Sequence, residues 1–157
     1  MRWLVRTTDD PVALLLRLAL ALVIFPHGAQ KALGWWGGPG LQGAIGFLHG
    51  PAGLPLPIAW LVVAIEFLGP ILLFIGLLGR LGALGILFVM IGAVLTTHLP
   101  NGFFMNWSGQ QQGEGFEFHI LAAALCLAIL IRGSGLWSAD RAITRRMDMN
   151  PYGPRTY

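Results

Sequence analysis

Residues 57–78 read PIAWLVVAIEFLGPILLFIGLL, a stretch of 22 residues with one charged side chain, Glu66. A helix needs roughly 20 apolar residues to cross the hydrocarbon core of a bilayer, so this stretch predicts a membrane span. Comparable segments cover about residues 11–33, 81–98 and 116–132. The predicted fold class is therefore an all-α membrane protein, a bundle of four transmembrane helices.

The composition of the whole chain favours the same environment. Of its 157 residues, 55% are hydrophobic and only 11% are charged, and the mean hydropathy is +0.69. A soluble domain carries roughly a quarter charged residues. The net charge of +3 does not indicate a nucleic-acid partner, because the basic residues lie between the apolar segments rather than among stacking or polar positions. The lipid bilayer is the predicted partner.

The distribution of basic residues predicts the orientation in the membrane. Arginines precede the first segment, separate the second from the third, and follow the fourth, whereas Lys31 is the basic residue on the other side. By the positive-inside rule, both termini lie in the cytoplasm, and the loops 34–56 and 99–115 lie outside. Residues 1–146 form the predicted membrane domain, and the polar residues 147–157, which include two prolines, form a flexible cytoplasmic tail.

Two charged side chains fall inside predicted spans, where ionisable groups are costly and usually have a partner or a function. Glu66 lies near the middle of the second segment and Arg17 in the first turns of the first. We expect the two side chains to make contact, directly or through water. Such a contact is consistent with a proton-carrying carboxyl group or with an ion pair that only fixes the helix packing.

Histidines collect at the predicted outer ends of the helices. His27 and Lys31 share one helix face, His98 ends the third segment, and His119 begins the fourth. Their spacing matches no metal-binding motif, so no metal is predicted. A quinone headgroup needs only one or two donors beside an apolar slot, so these four residues are candidates for a quinone site. Histidines that satisfy interfacial backbone groups are the alternative.

The only cysteine, Cys126, lies in the fourth apolar segment. One cysteine excludes an intrachain disulfide and a CxxC pair. We expect it to be a small buried hydrophobic side chain.

Several short motifs together resemble the bacterial DoxX family. They are Arg17, the stretch FPHGAQK at 25–31, GGPG at 37–40, GLPLP at 53–57, Glu66-Phe67, and HLPNGFF at 98–104. The resemblance covers about residues 11–140. It implies a four-helix protein of the bacterial inner membrane. It also implies a connection to quinone-dependent oxidation of sulfur compounds or to membrane complexes that handle oxidative stress.

Two functions follow from the residues and the resemblance. The first is a membrane subunit of a quinone-linked redox system, an oxidoreductase subunit in which Glu66 and Arg17 handle a proton and a redox partner protein supplies electrons. The second is a non-enzymatic scaffold or assembly factor for other membrane proteins. A homo-oligomer is compatible with both, because four spans enclose little interior volume.

Overall fold

The structure is a computed structural model that describes residues 2–149, and the regular elements in that range are all helical. The main helices are α1 (Arg2–Val5), α2 (Pro11–Leu33), α3 (Gly40–His49), α4 (Leu56–Ile75), α5 (Gly79–Ala93), α6 (Glu117–Arg132) and α7 (Ala139–Asp148). Short turns of 3-10 helix occur at Trp35–Gly37 and Leu99–Asn101, and a π-helical turn at Val94–His98.

Three helical runs are long and apolar enough to cross a membrane: Pro11–Leu33, Leu56–Ile75 and Gly79–Asn101. The third consists of α5 and the π and 3-10 turns that continue it. The prediction of an all-helical, multi-pass membrane protein is confirmed at this level. Helix α6 has 16 residues, so it is about 24 Å long, and its crossing stays a prediction, as does the orientation of the termini.

The start and end of α2 show how local sequence sets these bounds. The Asp10 carboxylate accepts hydrogen bonds from the backbone N–H groups of Val12 (2.9 Å) and Ala13 (3.2 Å), which have no partner inside the helix. Pro11 occupies the first helical position, where no N–H is needed. Gly34 ends the helix with φ of 73°, in the left-handed region that glycine adopts at little cost.

The core lies where α2, α4, α5 and α6 meet. Its largest fully buried apolar side chains are Leu20, Ile24, Leu73, Ile86 and Ile129. Cys126 of α6 is also fully buried, which confirms the prediction for this residue. Large apolar side chains also cover the outside of the bundle, where Leu22, Phe74 and Phe88 are more than half exposed. A lipid environment accounts for such a surface, and water does not.

Helices α2 and α4 touch through their backbones. A Cβ atom at Gly28 would overlap the backbone carbonyl group of Glu66, so only glycine fits at this crossing. Lys31 lies three residues further along α2, on the same helix face. The Gly28 contact therefore brings Lys31 next to α4 at the level of Glu66.

The structure adds elements that the sequence analysis did not predict. The segment 34–56, predicted as a loop, contains α3, which packs against α2 and α4. At the other end of the bundle, α7 continues to Asp148, so the predicted boundary at residue 146 falls inside its last turn. Most of the predicted flexible tail, residues 150–157, lies outside the described residues.

Candidate functional site

Arg17 does not contact Glu66, and that prediction was wrong. Its side chain is 1% exposed and lies at the end of the bundle that carries α1 and α7, called here the α7 end. All of its hydrogen bonds go to backbone carbonyl oxygens, those of Ser134 (2.8 Å), Leu73 (2.7 Å), Phe74 (2.7 Å), Leu136 (3.3 Å) and Trp137 (2.7 Å). Carbonyl groups at a helix end lack partners inside the helix, and guanidinium N–H groups satisfy them.

Glu66 pairs instead with Lys31. The Lys31 Nζ lies 2.8 Å from Oε1 and 2.7 Å from Oε2 of Glu66. The Glu66 side chain is 6% exposed and that of Lys31 is 29% exposed, so the carboxylate is the buried partner. Only the contact to Oε1 has hydrogen-bond geometry, and Oε2 has no hydrogen-bond partner. The pair thus compensates the charge of Glu66 but leaves one of its oxygens able to accept a further hydrogen bond.

A cavity of about 340 Å³ lies beside this ion pair, between α3, α4 and α5. Its polar wall consists of Lys31, Glu66, His98, Thr96 and Thr97. The remaining lining is apolar and comes from Phe47, Leu48, Leu54, Ile58, Leu61, Val62, Ile65, Phe88, Val89, Gly92 and Ala93. We call it the head cavity. Its apolar walls and few convergent polar groups are the usual features of a small-molecule site.

A hydrogen bond determines which ring nitrogen of His98, in the wall of the head cavity, carries a proton. Its Nδ1 lies 2.9 Å from the backbone carbonyl oxygen of Glu114. A carbonyl oxygen can only accept, so Nδ1 must carry the proton. In the neutral ring, Nε2 is then the acceptor, and in the charged ring it becomes a second donor. His98 can therefore exchange a proton at Nε2 without losing its contact to the loop.

The other two predicted histidines lie outside the head cavity. His119 is buried, and its ring centroid is 4.2 Å from that of His98. Its Nδ1 has no hydrogen-bond partner, and the side chain lines a separate apolar cavity of about 270 Å³. His27 is exposed on α2, and its ring is 6.1 Å from that of Phe118. The structure thus brings Lys31, Glu66 and His98 together, adds His119 through His98, and leaves His27 outside.

A second network of charges, at the α7 end, was not predicted. Arg80 is buried and donates hydrogen bonds to the carbonyl oxygens of Leu130, Ile131, Trp3 and Arg6. Asp140 accepts hydrogen bonds from the N–H groups of Leu78 and Gly79, at the start of α5. These side chains connect helix ends to one another, and they line none of the cavities described above. Within residues 2–149, no three histidine, cysteine or acidic side chains are placed to hold a metal ion.

The part of the chain that contains both residues of the ion pair matches a known protein family. Residues 12–99, which include Lys31, Glu66 and His98, match the DoxX family. The chain belongs to the DoxX family. The resemblance expected from the short motifs is confirmed, and the chain is a DoxX-type membrane protein. The match ends before α6, so it does not include His119.

This DoxX chain is similar in sequence to a protein of Bacillus subtilis. The chain is 34% identical over 118 residues to the protein of Bacillus subtilis (strain 168) named "Putative oxidoreductase CatD". The match covers 74% of this chain and 76% of that protein. No solved structure matches the chain.

Proposed function

We propose that this DoxX protein is the membrane subunit of a quinone-linked redox system and that a quinone headgroup binds in the head cavity. One observation carries the proposal: a buried carboxylate, paired with Lys31, forms part of the polar wall of a largely apolar cavity. A buried ionisable group in a membrane segment usually has a function. The name of the Bacillus subtilis relative, which contains the word "oxidoreductase", agrees with it.

The residues of the cavity suit the proton chemistry of a quinone. Reduction to the hydroquinone adds two electrons and two protons. In the proposed site, the Lys31 ammonium group donates a hydrogen bond to one quinone oxygen, and Glu66 takes up or supplies a proton beside it. His98 exchanges the second proton at Nε2, the nitrogen left free by its contact to Glu114. The two electrons come from a redox partner protein.

The proposed setting is the bacterial inner membrane, with four crossings and both termini in the cytoplasm. Arg2, Arg6 and the arginines of α7 lie at the α7 end, where Arg80 also lies. The positive-inside rule then places that end in the cytoplasm. The head cavity lies in the half of the bundle that faces the periplasm or the cell exterior.

A scaffold or assembly factor is the second candidate. Arg17 shows that this protein uses buried charge to hold helices together. Lys31 and Glu66 hold α2 and α4 together in the same way. Under this hypothesis the ion pair has no ligand, and the exposed apolar faces bind other membrane proteins.

Quinone binding to Glu66→Gln distinguishes the two candidates. Purified protein in detergent is equilibrated with decylubiquinol, the hydroquinone form, in the absence of oxygen, and the bound molecule is extracted and measured by absorbance. We expect saturable binding at a ratio of one, weakened about tenfold or more in Glu66→Gln, because the hydroxyl group of the hydroquinone donates to a charged acceptor that the variant lacks. Glu117→Gln is the matched control, since this carboxylate accepts from Met105 and Trp107 in the outer loop. No saturable binding by the folded wild type contradicts the redox proposal and favours the scaffold.

A further inference from the structure

A second apolar cavity continues from the head cavity. This groove has a volume of about 420 Å³ and lies between α4 and α5. Three residues, Leu61, Ile65 and Phe88, line both spaces, so the two are adjoining. The rest of the groove is lined by Ala64, Leu68, Gly69, Leu72, Leu81, Gly82, Leu84 and Gly85. We call it the tail groove.

The tail groove exists because glycines remove side chains where α4 and α5 face each other. A Cβ atom at Gly82 would lie 3.2 Å from the carbonyl oxygen of Gly69, and one at Gly85 would lie 3.1 Å from the Ile65 side chain. The helices are therefore close at the bottom of the groove, while large side chains form its sides. Along α4 the groove extends from Leu61 to Leu72, which is about 16 Å at the rise of an α-helix.

The head cavity and the tail groove differ in the polarity of the side chains that line them. The head cavity is lined by both residues of the ion pair, and the Glu66 Oε2 is buried without a hydrogen-bond partner. The tail groove contains no charged or hydrogen-bonding side chain. A molecule that matches both spaces has a compact polar head that accepts a hydrogen bond from Lys31 or donates one to Glu66, as a quinone and its hydroquinone do. It also has a long, flexible apolar chain attached at one position.

We propose that the ligand of this site is such a long-tailed amphiphile and that its tail lies in the α4–α5 groove. For the nature of the head, the inference rests on the proposed quinone function. It adds that the protein selects its ligand by the tail as well as by the head. The tail is surrounded by lipid before it binds, so the groove contributes to affinity through close packing against its walls and not through removal of the tail from water.

Ala64→Phe tests the groove without altering the head cavity. Ala64 is exposed and lines only the tail groove, so a larger side chain fills the groove without disturbing the core. The matched control is Ala124→Phe, at an exposed alanine of α6 that lines neither space. Binding of decylubiquinone is compared with that of 2,3-dimethoxy-5-methylbenzoquinone, which has the same headgroup without the tail. Variant-to-wild-type ratios remove the effect of tail partition into detergent.

We expect Ala64→Phe to weaken decylubiquinone binding about tenfold and to leave the tailless quinone unchanged, while Ala124→Phe changes neither. An equal effect of Ala64→Phe on both quinones, or no effect on either, overturns the tail groove but leaves the headgroup site intact. If phosphatidylglycerol displaces decylubiquinone, the proposed tail groove is also overturned, because the groove then binds bulk lipid and does not select the tail of this ligand. If neither quinone binds, the proposed function fails as well.

Discussion

The two ends of the bundle use buried charge in different ways. At the α7 end, Arg17 donates hydrogen bonds to five carbonyl oxygens, and Asp140 caps the start of α5. In the other half of the bundle, which carries α3, Glu66 and Lys31 neutralise each other beside a cavity, and Glu66 keeps an oxygen without a hydrogen bond. Saturated charges indicate a structural role. A neutralised but unsaturated charge beside a cavity indicates a place for a ligand.

The largest expected effect is on the stability of the α7 end. Arg17→Leu leaves five buried or half-buried carbonyl groups without their donors, which we expect to lower the free energy of unfolding by about 3 kcal/mol or more. Thermal unfolding in detergent, followed by circular dichroism, measures it. Arg146→Gln, on the exposed surface of α7, is the control and should unfold like the wild type. A wild-type midpoint for Arg17→Leu would refute the structural role of this end.

A somewhat smaller effect is expected at the crossing of α2 and α4. Gly28→Ala places a methyl group against the Glu66 carbonyl and forces the helices apart, at a cost of about 1–3 kcal/mol. The separation also weakens the Lys31–Glu66 contact, so quinone binding should fall together with stability. Gly46→Ala is the control, because its Cβ meets nothing within 4 Å, it lines neither the head cavity nor the tail groove, and alanine favours a helix. Equal thermal midpoints for the two variants would exclude a tight crossing.

The difference between the two ends also explains how much the sequence could predict. The Asp10-Pro11 start and the Gly34 end of α2 depend on neighbouring residues, so the first segment was predicted at its observed bounds. Local pattern likewise predicted the other three long helices within a few residues. Helix α3 was missed because it is short and glycine-rich and follows turn-forming residues.

Partner choice depends on tertiary packing, and there the sequence was less informative. Glu66 was recognised as a buried acid, but the Arg17 partner was chosen from side-chain reach alone. Gly28 held the missing information, because a small residue one turn before Lys31 permits the close contact with α4. The head cavity needed α3 and the π-helical turn that carries Thr96 and Thr97, neither of which the sequence pattern predicts.

Replacement of the whole ion pair should separate structure from function. A pair that only holds helices can be exchanged for apolar side chains at little cost. We therefore expect Lys31→Met with Glu66→Leu to unfold within about 1 kcal/mol of the wild type and to lose quinone binding. Each single replacement should be less stable than the double variant, because it leaves one charge alone. Quinone binding retained by the double variant would show that the pair takes no part in the site.

The smallest effect concerns a surface ion pair at the α7 end. The exposed Asp9 accepts hydrogen bonds from Arg141 and Arg145, and chiefly the bond from Arg141 lowers its pKa from 3.8 to about 2. Because the folded-state pKa is below the unfolded one, this contribution is present above pH 3.8 and is lost as the pH falls toward 2. Asp9→Asn should lose part of this acid dependence of the thermal midpoint, with little change at neutral pH. A thermal midpoint with the same acid dependence as that of the wild type would show that this ion pair does not contribute to stability.

Occupation of the head cavity is the central claim, and a pair of glycine variants tests it most directly. Gly92 and Gly46 are both helical glycines with open space around an added Cβ, but only Gly92 lines the head cavity. The measurement is the dissociation constant of decylubiquinone for the wild type, Gly92→Leu and Gly46→Leu, each first shown to be folded. We expect Gly92→Leu to bind at least about tenfold more weakly, since its side chain fills the cavity, and Gly46→Leu to bind like the wild type. Equal affinities for all three proteins would contradict it.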